Sequence, residues 1–104
     1  DCPVEALDPI AGLYAAVTRQ QPDGHPKGGW YPQERLSLDE ALYAYTMGSA
    51  IASGEEHLKG SLVPGKLADL VVLSHDIYAQ HPDALLEAAV DMTILAGAII
   101  YERS

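Results

Sequence analysis

The sequence predicts an α+β chain, with helices in its first half and strands in its second. Two stretches before Gly54 carry apolar residues at helical spacing, each behind a capping residue. After Gly54 come β-rich runs, "ADLVVL" and "VDMTILAGAIIYE", separated by turn residues. Helices followed by strands, without alternation, is the α+β pattern rather than a parallel α/β one. No internal repeat is evident.

The first element is "LDPIAGLYAAVTRQ". Asp8 suits the N-cap, and Pro9 suits the first helical position, where its missing N–H costs nothing. Ile10, Leu13, Tyr14 and Val17 then share one face. "QPDGHPKGGWYPQ" follows, with three Pro and three Gly, and reads as a loop. It is long, and long loops are often functional. Trp30 and Tyr31 within it either cover a pocket or pin the loop to the core.

The second helix is "SLDEALYAYTMGSAIASG". Ser37 and Glu40 form a capping box, in which each side chain reaches the other residue's amide. Leu38, Ala41, Leu42, Tyr45 and Ala52 are expected on one face. The small residues of "GSAIAS" allow another backbone to come close, and Gly54 is the expected stop. "GEEHLKG" reads as an acidic surface turn. Pro64-Gly65 fits the centre of a type II turn. "ADLVVL" is a strand apolar on both faces, so cover on both is expected. A connection follows, with a helical turn starting at Pro82. The last run is a hairpin around Ala96-Gly97. Ala is a poor first residue for a type I′ turn, so the hairpin is better supported than its turn type.

With 104 residues the chain is one domain or part of one. It opens on "DCPVEALDPI", with no initiator Met, and the natural protein is expected to begin upstream. A formal net charge of -9, with no Arg/Lys cluster, argues against a nucleic-acid partner. The acidic residues are spread along the chain and read as a solvated surface. No apolar run is long enough to span a bilayer, and none reads as a targeting signal, so no membrane partner is expected. Cys2 is the single cysteine, which excludes an internal disulfide and favours a reducing, cytoplasmic setting. A small buried thiol is its expected role. His25, His57, His75 and His81 show no metal-ligand spacing and read as solvated loop residues. His25 stays open as a residue that could reach a substrate mouth. There is no G-x-S-x-G elbow, and "GSLVPGK" lacks the spacing of a phosphate loop.

Taken together, "DCPVE", "AVTR", "LSLDEALYAYTMGSA", "GSLVPGKLADLVVL" and "TILAGAIIYE" resemble the carboxy-terminal end of the amidohydrolase superfamily of metal-dependent hydrolases. Within it, the chain resembles the branch containing N-substituted formamide deformylase and related long-chain amidohydrolases. The run from Gly60 to Leu73, followed by a hairpin with a central Gly, is the most specific piece.

The resemblance implies a parent of two parts, a (β/α)8 barrel (TIM barrel) and a composite β-sandwich. Residues 1–54 would supply the tip of the last barrel strand and the terminal barrel helices. Residues 55–104 would supply the carboxy-terminal strands of the sandwich. Such a parent hydrolyses a C–N bond in a small amide-type substrate, using water activated by a divalent metal, zinc before iron. Asp1 falls where the family's aspartate binds metal and acts as general base, at the carboxy-terminal end of a barrel strand. A lone carboxylate holds no transition metal, so the chain by itself is expected to bind none and to be inactive. The remaining ligands would lie upstream. A homo-oligomer is expected. The rival reading is a stand-alone structural or interaction module without catalysis, which would dimerise to bury its exposed helix faces.

Overall fold

A computed structural model describes residues 2–79 and 81–104. The architecture is α+β, with its helices before a three-stranded antiparallel sheet. Two compact units form, Asp1–Ala41 with Ile77–Glu87 and Leu42–Asp76 with Ala88–Ser104.

The first unit is built on α1 (Pro9–Thr18). Asp8 caps it as expected: its Oδ1 accepts from the Ile10 amide at 2.9 Å, and Pro9 stands at the first turn. Ile10, Leu13 and Tyr14 are buried and Val17 is half-buried, on the face that the spacing predicts. They pack against a 3₁₀ turn at Pro82–Glu87, which buries Leu85. Ile77 and Ala41 complete this core. Burying an aliphatic side chain of this size contributes roughly 1.5–3 kcal/mol.

α1 ends without glycine. Arg19 takes the left-handed conformation (φ 57°), and its amide donates to Ala15 O at 2.8 Å. The following loop then returns to the helix end. Trp30 N donates to Arg19 O and Leu36 N to Ala16 O, each at 2.9 Å. These bonds satisfy carbonyls that a helix terminus otherwise leaves open. Gly29 makes the return possible, because a Cβ there would lie 2.6 Å from Thr18 O. A short 3₁₀ turn at Pro32–Glu34 completes the loop.

The capping box forms as the sequence predicts. Ser37 N donates to Glu40 Oε2 at 2.7 Å, and Glu40 N donates to Ser37 Oγ at 3.2 Å. These bonds hold the Glu40 carboxyl below its ordinary value, the Ser37 amide contributing most. They open α2 (Leu38–Tyr43), within which the chain passes into the second unit. A π turn at Ala44–Gly48 and then α3 (Ser49–Ala52) follow in sequence. One expectation fails here. Tyr45 and Ala52 are exposed, and Ala50 is the buried residue instead. The wide π turn alters the 3.6-residue period, so the face read from Leu38 and Ala41 does not continue past Tyr43.

In the second unit the small residues after the π turn do receive a close backbone. Gly60 packs so tightly that a Cβ would lie 2.9 Å from both Ala50 Cβ and Met47 Sδ. The type II turn is also as predicted: Lys66 N donates to Val63 O at 3.2 Å, and Gly65 has φ 96°.

Strands β1 (Leu70–Leu73), β2 (Val90–Leu95) and β3 (Ala98–Glu102) form the sheet, in the order β1-β2-β3. Ser74 clasps the far end of the first pair. Its amide donates to Ala89 O at 2.9 Å, and its Oγ accepts from Ala89 N at 3.0 Å. The β2–β3 turn has positive φ at both central residues, Ala96 (50°) and Gly97 (81°), the type I′ pattern. Ala pays for that conformation, and Asp69 offsets the strain by accepting the Ala96 amide at 2.8 Å.

The expected double cover of β1 is not observed. Val71 and Val72 are 53% and 42% exposed. Successive strand residues point to opposite faces, so both faces are open at this point. β3 is exposed along its whole length. Three strands bring no second layer of their own over these faces.

Candidate functional site

Asp1, the residue predicted as metal ligand and general base, lies outside the described residues. Its neighbour Cys2 is described, and it is an exposed free thiol rather than the buried one expected. It sits on a terminal turn with no apolar layer over it: residues 2–9 are all exposed.

The four histidines are not brought together. His25, His57 and His81 are exposed. His25 Nδ1 lies 3.6 Å from Asp23 Oδ1 and His81 Nδ1 lies 3.4 Å from Asp83 Oδ2, both pairs in water. His75 is half-buried, with Nδ1 3.1 Å from Ser74 Oγ and its Nε2 buried without a hydrogen-bond partner. Ser74 Oγ also accepts from the Ala89 amide at 3.0 Å, so the same hydroxyl is part of the strand clasp. Among the described residues, no group of three or more His, Cys, Asp or Glu is placed to hold a metal ion. These residues alone therefore do not fit a metal centre, which needs three or four converging ligands.

The long loop is tied down through the end of α1 and not through the core. The Arg19 guanidinium lies 5.0 Å from the centre of the Trp30 ring, and its Nε donates to Trp30 O at 3.0 Å. Trp30 and Tyr31 meet edge to face at 4.8 Å. Both remain more than half exposed, at 61% and 58%, so neither ring is an anchor in the core. A cation and the aromatic edge contact hold the pair in place at the surface. The arrangement presents His25 and the two rings on an ordered loop. They line neither the groove of the second unit nor the smaller cavity beside Val17 and Leu85.

Within the first unit, Tyr14 is the most buried ionisable group. Burial pushes its phenol up, and the Asp83 carboxylate adds to the shift. Its hydroxyl makes only long contacts, 3.4 Å to Asp83 Oδ1 and 3.5 Å to Gln20 Oε1. This is a core tyrosine with its polar tip at the rim.

The second unit carries an open groove of about 600 Å³ that the sequence reading missed. Tyr45, Ser49 and Ala50 form one side, and Leu62, Leu70 and Val71 the other. At its rim Lys59 Nζ meets Glu55 Oε2 at 2.7 Å. That bond holds the Glu55 carboxyl below its ordinary value and Lys59 above its own. Two of the groove's hydroxyls are turned back to the helix: Thr46 Oγ1 donates to Leu42 O at 2.7 Å and Ser49 Oγ to Ala44 O at 3.0 Å. The groove therefore offers mainly apolar surface. The small residues of "GSAIAS" signalled a close approach there, but not that space would remain beside it.

The comparisons with known proteins decide the family. A profile of the amidohydrolase family matches residues 1–101. The chain belongs to the amidohydrolase family. N-substituted formamide deformylase of Arthrobacter pascens is 36% identical over 104 residues, covering 100% of this chain and 19% of the relative. Protein LONG AFTER FAR-RED 3 of Arabidopsis thaliana is 37% identical over 101 residues, covering 97% of this chain and 17% of the relative. The crystal structure of an amidohydrolase from Thermotoga maritima matches with a TM-score of 0.56 at 28% identity, covering 69% of this chain and 17% of that one. The chain thus spans about a fifth of the length of the curated relatives it matches. Among the described residues, no helix is long and apolar enough to cross a membrane.

Proposed function

We propose that this chain is the carboxy-terminal part of a hydrolase that cleaves a C–N bond in a small amide-type substrate, and that Asp1 is its proton-transfer carboxylate. The end-to-end identity with N-substituted formamide deformylase carries the reading and points to N-substituted formamides as the first substrates to test. The uncovered sheet supports it, because β1 and β3 have the composition of strands that need a second layer.

In this reading residues 1–54 end a (β/α)8 barrel and residues 55–104 belong to a composite sandwich. A carboxylate at Asp1 would take a proton from the attacking water and return it to the departing nitrogen. The parent's divalent metal, zinc before iron, would be held mainly by side chains outside this chain, so the chemistry assigned to this chain is that proton transfer alone. The same reading has the 104-residue chain inactive without the rest, and it takes the parent to be a cytoplasmic homo-oligomer. The test is to express the chain with its complete upstream reading frame and assay N-substituted formamides, beside the 104-residue chain and the Asp1→Asn variant. Turnover by the long protein alone supports the proposal. No turnover of any amide by a folded, metal-loaded long protein overturns it.

One observation favours a second reading, a non-catalytic module that pairs with another copy. Val71, Ile99 and Ile100 are all more than half exposed, and a partner copy would bury them. The upstream reading frame separates the two: a start codon close before Asp1 supports the module, a long upstream frame the fragment.

A further inference from the structure

We draw no further inference here: the strongest candidate, the open apolar groove between α3 and β1 in the second unit, is a surface for which nothing in the structure shows what covers it.

Discussion

The two units differ in how much of their own core they supply. Of the seven buried apolar residues among the described ones, six belong to the first unit: Ile10, Leu13, Tyr14, Ala41, Ile77 and Leu85. The second unit contributes only Ala50, although it holds the whole sheet. Its strands are well paired and poorly covered. Backbone pairing and turn chemistry have been met locally, and burial has not. A sheet in that state has formed its cross-strand hydrogen bonds without gaining the hydrophobic free energy that usually stabilises it. Cover of that kind is what the proposed second layer would supply.

That contrast can be broken by mutation. Leu13→Ala removes a side chain only 4% exposed, and we expect a loss of about 2–5 kcal/mol, read as a fall in the urea midpoint. A loss below about 1 kcal/mol would mean that the first unit is not a packed core. Gly60→Val should cost about 1–3 kcal/mol, because its Cβ would strike Ala50 and Met47 at a φ of 99°. It probes the tightest contact in the second unit. Ser37→Ala should cost about 1 kcal/mol through the lost cap. The same cap gives a pH signature. Glu40 has a lowered carboxyl pKa, so its contribution is complete above its ordinary value of 4.5 and fades as pH falls below that. In Glu40→Gln, which removes the titrating carboxyl, this part of the acid limb should flatten, whereas Ser37→Ala keeps the Ser37 amide and should flatten it only in part.

The smallest effect in the isolated chain sharpens the comparison most. Ile100→Thr changes a residue 60% exposed, and we expect a shift within about 0.5 kcal/mol. In the protein expressed with its upstream frame, the same change should cost about 1 kcal/mol or more, since the proposed second layer would bury that side chain. Equal small effects in both would remove the argument that the sheet is half of a sandwich.

Much of the fold was legible locally. Asp8, the Ser37–Glu40 box and Pro64-Gly65 each act through neighbours within a few residues, and each forms as read. What was missed depends on distant packing or on a change of period. The π turn at Ala44–Gly48 has no composition signal, and it turned Tyr45 and Ala52 outward. The cover expected over "ADLVVL" follows from its composition, but composition cannot say which chain supplies it. Trp30 rests on Arg19, a cation–π contact that is not written in the loop itself. For the site, family membership was legible because several pieces are spread over the chain. The catalytic geometry was not, because a carboxylate acquires its role from groups that converge on it in space.

The most direct test is the hydrolysis of an N-substituted formamide by the protein carrying its full upstream frame, wild type against Asp1→Asn. The account predicts turnover in the wild type and a loss of about 100-fold or more in kcat for the variant, with an unchanged unfolding midpoint. Wild-type turnover in a folded Asp1→Asn protein, or a reading frame that opens within a few residues of Asp1, would contradict it.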